Sequence, residues 1–243
     1  MKISKENLKY LSGEKFEVGY DFEIKGSIYP QERIEKILEI VKGKKVLHVG
    51  CCDHIPLIKD KINKGTWLHK LLMEKCEKVL GIDINKEAIK YVKEGIGYDN
   101  IIYCNLLEEV KEEIIKEKWD YIILGEILEH TDNPVSFIQA IVEKYKENVE
   151  KILITVPNIY CPKRILDGIR KERESINSDH RYWFTPYTLL KVGIYGNLKE
   201  PELYFVDLNA YNRIKRNIEK ILKKKIFKYK LYEFETLILV GNL

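Results

Sequence analysis

The sequence predicts an α/β fold, in which helices cover both faces of a doubly wound, mostly parallel sheet. Five short apolar runs alternate with amphipathic segments, and a continuous apolar run is typical of a parallel strand buried on both faces. The first run stops at Gly50 and the second has an acid, Asp83, at its tip, as expected where strand ends form a crevice. The five runs are 45–49, 79–84, 100–104, 119–124 and 151–156.

The segments around these runs predict helices, because they carry apolar stripes and helix-end signals. Pro30 and Gly43 bracket the first helix, Asn85 caps a short one that stops at Gly95 or Gly97, and Asn133 precedes another. Further helices are predicted over 68–75, 106–116, 135–145, 159–174 and 187–192, and two last strands over 204–208 and 235–240.

Size and composition predict one domain over residues 1–243. Apolar residues make up 45% of the chain and charged residues 33%, which is ordinary for a globular protein. We find no apolar run of the ~20 residues that span a bilayer and no signal-peptide core. Five cysteines, two of them adjacent, disfavour a disulfide framework, so we expect a cytoplasmic location. Within the domain we distinguish an N-terminal aromatic segment (1–30), a lid or insert (159–186) and a basic helix (211–230).

The basic helix concentrates positive charge. Residues 211–230 hold nine bases and one acid, a net charge of +8, so the rest of the chain, within a total of +4, carries −4. Isoleucines and a leucine at helical spacing predict one packed face. The basic side is either a solvated surface or a surface for an anionic substrate, nucleic acid or membrane phosphates.

The ends of the first two runs predict a nucleotide site. Gly50 suits a tight turn after a buried strand, and a carboxylate such as Asp83 accepts hydrogen bonds from ribose hydroxyls. The turn continues as Cys51, Cys52 and Asp53, so it lacks the three glycines of a pyrophosphate-binding turn. A nicotinamide-binding domain is therefore disfavoured.

Four motifs of the chain resemble class I S-adenosylmethionine-dependent methyltransferases, and most closely the small-molecule O-methyltransferases of ubiquinone biosynthesis. They are VLHVGCCD, VLGID, WDYIILGEILEHTDNP and ILITVPN, and the resemblance covers about residues 30–208. It implies a seven-stranded sheet whose last strand is antiparallel, with S-adenosylmethionine across the carboxyl ends of strands one, two and four. The chain departs from the family at His48 and Asn105, where an acid is usual, and in its glycine-poor turn.

The resemblance implies a set of cofactor-binding residues. Asp83 would hold the ribose, Ile84 would flank the adenine, and Asn105 keeps a carbonyl oxygen for the adenine amino group. Glu126 would bind the cofactor ammonium or hold its loop, and His69 would line the pocket or lie on a helix surface. The full set is Gly50, Cys51, Cys52, Asp53, His69, Asp83, Ile84, Asn105, Leu106, Gly125 and Glu126.

His130 and His180 are the candidate catalytic residues. Both are expected above the carboxyl end of strand four, where an imidazole would remove a proton from an acceptor hydroxyl. The acids and histidines lack metal-ligand spacing, so the sequence predicts metal-independent O-methylation of a small molecule, although an amine acceptor stays open.

Basic residues in the lid favour an anionic or sugar-linked acceptor, such as a phosphate-containing precursor of a surface polysaccharide. Two other readings stay open. The basic helix would suit an RNA methyltransferase, which we disfavour because no RNA-binding module is recognisable, and the glycine-poor turn would suit an inactive cofactor-binding partner subunit. The basic residues of the lid are Lys163, Arg164, Arg170, Lys171 and Arg173.

Overall fold

The computed structural model describes residues 3–23, 31–208, 213–222, 230 and 233–243. Seven strands of this part form one sheet in the order β3-β2-β1-β4-β5-β7-β6. Strand β7 runs antiparallel to both of its neighbours, β5 and β6, and the remaining pairs are parallel. The predicted doubly wound sheet with an antiparallel last strand is confirmed. The strands are β1 Lys45–Val49, β2 Lys78–Asp83, β3 Ile101–Tyr103, β4 Trp119–Gly125, β5 Val149–Pro157, β6 Lys199–Leu208 and β7 Phe234–Asn242.

Ten α-helices lie within the described residues, and none of them is long and apolar enough to cross a bilayer. A π-helical turn, Tyr91–Ile96, extends α5, and a 3₁₀ turn, Leu128–His130, follows β4. The helices are α1 Lys5–Leu11, α2 Arg33–Val41, α3 Ile55–Asn63, α4 Leu68–Lys75, α5 Lys86–Lys90, α6 Glu112–Ile115, α7 Pro134–Tyr145, α8 Pro162–Lys171, α9 Pro186–Tyr195 and α10 Arg213–Leu222.

Alternate side chains of the central strands enter two separate cores. Leu47 of β1 belongs to the core that also contains Ile138 of α7, whereas its neighbour Val46 belongs to the core that contains Ile37 of α2. Because successive side chains of a strand point to opposite faces, a sheet covered on both sides needs apolar residues at every position. This requirement explains the largely apolar runs of the sequence, in which His48 and Thr155 are buried polar exceptions.

The helix predicted over residues 106–116 is wrong for most of its length. The side-chain oxygen of Asn105 accepts the N–H of Leu107 at 3.1 Å, and its backbone oxygen accepts those of Glu108 and Glu109. These bonds close one turn after Asn105, but the turn does not continue, and within residues 106–116 only α6 is helical. Of the predicted basic helix, the structure describes α10 and residue 230, and the rest lies outside the described residues.

A pair of buried histidines lies beneath the first two strands. Nδ1 of His48 is 3.2 Å from Nδ1 of His69, which comes from α4. Gly81 of β2 makes room for this pair, since a Cβ atom there would lie 2.8 Å from Cε1 of His69 and 2.7 Å from Sγ of Cys51. Burial lowers the pKa of His69 to about 4 and holds the pKa of His48 well below its usual value.

We expect His69 to make folding less stable in mild acid. In the unfolded chain His69 binds a proton near pH 6.5, but in the folded chain only near pH 4. Its contribution to the free energy of unfolding is therefore fully present above pH 6.5 and is lost as the pH falls toward 4. From pH 7.5 to 5.0 the loss from this residue is about 2 kcal/mol. Urea unfolding followed by tryptophan fluorescence at both pH values checks it. His69→Gln should flatten the pH dependence by that amount; an equal fall in the variant would contradict the assignment.

A candidate active site at the carboxyl ends of the strands

A cavity of about 720 Å³ opens at the carboxyl ends of strands β1 to β4. Since β1 lies between β2 and β4, residues that follow these strands meet at one edge of the sheet. The lining includes Val49 and Gly50 after β1, Asp83 and Ile84 after β2, Asn105 and Leu106 after β3, Ile127 and His130 after β4, and Asn133, Ser136 and Phe137 at the start of α7.

Gly50 forms the turn at the centre of the cavity. Its φ of +64° lies in the left-handed region that disfavours side chains. Its N–H donates to the carbonyl of Ile82 at 2.8 Å, and a Cβ atom here would come within 3.0 Å of Cδ1 of Ile127. A glycine therefore keeps this turn tight and leaves the space above it open to a ligand.

Asp83 joins the turn after β1 to the turn after β2. One carboxylate oxygen accepts the N–H of Cys52 and the other that of Asn85, both at 2.9 Å. Burial raises the pKa of Asp83, and the two hydrogen bonds act in the opposite direction. Each oxygen keeps a further lone pair, so the carboxylate is held in place with acceptor capacity for a ligand's hydroxyl groups.

The wall beyond Asp83 is apolar and exposed. Ile84 is 67% exposed although it follows a buried strand, and Leu106 and Leu107 continue the lining. Asn105 reaches the cavity from the turn that its own side chain holds together. The exposed side chain of Ile84 offers an apolar surface on which a planar ring of a ligand could pack.

The structure brings five of the eleven predicted cofactor residues to the cavity and leaves six outside its lining. Asp53 pairs with Lys61, and His69 is fully buried against His48. Cys51 is buried, and its carbonyl accepts a hydrogen bond from the indole of Trp67. Cys52 contributes to the site only through its backbone N–H, which donates to Asp83. The residues in the lining are Gly50, Asp83, Ile84, Asn105 and Leu106, and those outside are Cys51, Cys52, Asp53, His69, Gly125 and Glu126.

Gly125 and Glu126 lie at the end of β4, held by the neighbouring strand. Glu126 has a positive φ of 54°, which is costly for a residue with a side chain. Its N–H donates to the carbonyl of Thr155 at 3.0 Å, and its Oε1 accepts the Thr155 hydroxyl at 2.9 Å. Arg33 lies 3.9 Å from the same oxygen. These contacts hold the loop that follows, as one of the two predicted roles of Glu126 requires.

Glu129, His130 and His180, called here the Glu-His-His cluster, meet beside the cavity. One ligand atom from each lies within 4.8 Å of the other two. The imidazole rings are perpendicular, with centroids 4.6 Å apart, and Nε2 of His180 is 3.9 Å from Oε1 of Glu129. His130 also lines the cavity. The two predicted catalytic histidines are therefore neighbours, although fifty residues separate them in sequence.

Glu129 is the residue of this cluster that sequence reasoning missed. It is fully buried, and neither carboxylate oxygen has a hydrogen-bond partner among the described residues. Burial, followed by the negative charge of Glu126, raises its pKa to about 8. The available signal was its position directly before His130, in the 3₁₀ turn that follows β4.

The loop that carries His180 is tied to the turn that carries the other two members. The N–H of Arg181 donates to the carbonyl of Glu129 at 2.8 Å, and its Nε lies 2.9 Å from a carboxylate oxygen of Asp132. The hydroxyl of Tyr182 donates to the carbonyl of Asp132 at 2.7 Å. These contacts fix the position of His180 relative to His130.

Comparison with known families assigns the activity. Residues 65–149 match the family model described as a methyltransferase domain, and this segment contains β2, β3, β4 and α7, from which most of the cavity wall is built. This segment, 85 of the 243 residues, is similar to methyltransferase domains. The chain is an enzyme, and its cofactor is S-adenosylmethionine. The ubiquinone-biosynthesis subtype suggested by the motifs stays a prediction.

Solved structures share the fold of this methyltransferase at low sequence identity, and no curated protein matches its sequence. A SAM-dependent methyltransferase from Archaeoglobus fulgidus aligns with a TM-score of 0.56 at 18% identity, over 87% of this chain and 91% of its own. A cyclopropane-fatty-acyl-phospholipid synthase-like protein from Lactobacillus casei gives 0.52 at 14%, over 86% and 88%. The small RNA methyltransferase HEN1 gives 0.54 at 13%, over 92% of this chain and 27% of its own.

Proposed function

We propose that this methyltransferase methylates a hydroxyl group of a small acceptor that is either anionic or sugar-linked. The observation that carries the proposal is the arrangement of one cavity. Because β2 and β4 flank β1, Asp83 and His130 lie on opposite sides of Gly50. Asp83, for which we propose ribose binding, and His130, against which His180 packs, thus lie at opposite ends of the same cavity.

The lining fits S-adenosylmethionine. A cavity of about 720 Å³ lies within the range of about 300–1,000 Å³ that small-ligand sites occupy. In the proposed arrangement, Asp83 accepts the ribose hydroxyls and Ile84 with Leu106 encloses the adenine. The open space above Gly50 takes the methionine portion. Gly125 and Glu126, which lie outside the lining, support this end from beneath through Thr155.

The histidines supply what the acceptor needs. When bound, S-adenosylmethionine supplies a methyl group on a positively charged sulfur, which keeps the carbon–sulfur electron pair as the new carbon–oxygen bond forms. A hydroxyl acceptor must then lose its proton, and a neutral imidazole takes it. Burial lowers the pKa of His180, which keeps its ring neutral and able to accept. His130 and His180 therefore activate the hydroxyl.

The positive charge of helix α8 and the loop after it supports an anionic acceptor. The guanidinium of Arg164 lies 5.1 Å from the ring centre of Trp183, three residues from His180. Arg170 and Arg173 are exposed further along. Lys171 is paired with Asp167 at 2.6 Å, so it contributes less charge than the sequence suggests.

A product assay tests the proposal. The purified chain is incubated with isotope-labelled S-adenosylmethionine and, separately, with nucleotide sugars, sugar phosphates, neutral sugars, phenols, amines and short RNA. We expect a labelled ether product from an anionic or sugar-linked hydroxyl, seen by mass spectrometry. Label confined to amines, to RNA or to a neutral acceptor without a sugar would overturn the acceptor class. Cofactor binding without any labelled product would favour an inactive partner subunit.

A further inference from the structure

The Glu-His-His cluster contains polar atoms that the described protein leaves unsatisfied. Both oxygens of Glu129 and Nδ1 of His180 are buried without a hydrogen-bond partner, and Glu129 is 0% exposed. An unpaired buried polar group costs free energy, and most such groups in folded proteins have a partner. Unpaired buried atoms on two neighbouring residues of the cluster therefore indicate a missing partner beside them.

A cation is the partner that the cluster geometry favours. Ligand atoms about 2.1 Å from a metal ion lie about 3.0–4.2 Å from one another, and one atom from each of the three residues lies within 4.8 Å of the others. Binding an ion would therefore require these side chains to rotate toward one another. A carboxylate and two imidazoles suit a divalent transition metal, whereas Mg²⁺ and Ca²⁺ prefer oxygen ligands alone.

The surroundings of the cluster are those of a supported metal site. Arg181 and Tyr182 bind the carbonyls of residues 129 and 132 and so hold His180 against the turn that carries the other two residues. Asp179 lies 3.9 Å from Nδ1 of His130, in position to orient that ring, as outer carboxylates commonly do for metal-bound imidazoles. The Glu126 carboxylate acts on Glu129 electrostatically and adds negative charge beside the site.

We infer that Glu129, His130 and His180 bind one divalent transition-metal ion at the acceptor end of the cofactor cavity. The inference rests on the proposed function for its role: three protein ligands leave coordination positions open, and His130 places them at the cavity wall. An acceptor hydroxyl bound there loses its proton more readily because the ion stabilises the negative oxygen, and the proton passes to solvent. This proposal departs from the metal-independent transfer predicted from sequence spacing.

Metal titration of the full chain tests the inference. The protein is freed of metal with a chelator, and Mn²⁺ or Zn²⁺ is added during calorimetry, with Mn²⁺ electron paramagnetic resonance as a second readout. We expect one ion per chain and at least a roughly tenfold weaker affinity in Glu129→Gln and in His180→Asn. His54→Asn, which alters an exposed histidine outside the cluster, should bind as the wild type does. Circular dichroism shows whether each variant is folded. If Glu129→Gln, which changes a fully buried residue, does not fold, His180→Asn still tests the site because it changes a loop residue.

The outcomes separate this inference from the proposed function. No saturable binding of either ion, or binding unchanged in both cluster variants, overturns the metal site. If methyl transfer persists in chelator at the same time, the histidines act directly and the proposed function stands. If the ion binds as expected but no acceptor hydroxyl is methylated, the metal site stands and the proposed function fails.

Discussion

Replacing both His130 and His180 by asparagine is expected to lower kcat by about 10²–10⁴-fold, the usual contribution of acid–base catalysis, while the affinity for S-adenosylmethionine stays nearly unchanged. His130 lines the cavity across Gly50 from Asp83, and the ring of His180 packs against it. Hydroxyl activation is lost whether the imidazoles take the proton themselves or hold an ion that does so. Turnover rates with the acceptor identified by the product assay and calorimetry with the cofactor measure the two quantities separately.

A matched substitution in the same loop controls for loop disturbance. Ser178→Ala changes an exposed residue two positions before His180 and should leave kcat within about twofold of the wild type. Unchanged turnover in the double variant would discard both histidines as activating groups. A parallel loss of cofactor affinity would instead place them in the cofactor site.

The sheet was predictable because its strands are buried on both faces. His48 and Thr155 are the only polar residues at the buried positions of β1 and β5, so the apolar pattern and the sheet nearly coincide there. The helix over 68–75 was predicted with the bounds that α4 has. Leu68 and Leu72 of its apolar stripe pack in the core that contains Val79 of β2, so the apolar spacing was enough to predict it.

The site was only partly predictable, because its members depend on which face of a strand or loop each residue occupies. His69 follows Gly50 by 19 residues in sequence. It lies in α4, however, where its side chain packs against His48 of β1 and not in the cavity. The turn that begins at Asn105 does not continue as the helix predicted over residues 106–116, and only α6 forms there. The meeting of His180 with Glu129 depends on a loop held by Arg181, and no local spacing encodes a contact over fifty residues.

Asp83→Asn is expected to weaken S-adenosylmethionine binding by about 10–100-fold. A hydrogen bond to a charged group contributes about 1.5–3 kcal/mol, and each 1.4 kcal/mol is tenfold in affinity. Asparagine keeps the shape and one acceptor oxygen, so either the N–H of Cys52 or that of Asn85 loses its acceptor, and the ribose loses a negative partner. Calorimetric titration with S-adenosylmethionine and with its demethylated product measures the change.

The design of this test separates binding from folding. Asp60→Asn makes the same chemical change on an exposed face of α3, where Asp60 pairs only with Lys64 among the contacts of the described residues, and should leave the affinity unaltered. A thermal melt shows whether Asp83→Asn stays folded at the titration temperature. A folded variant with wild-type affinity would place the cofactor away from the tip of β2. Because the turn at Gly50 is tied to that tip through Cys52, the assignment of the whole cavity depends on this one carboxylate.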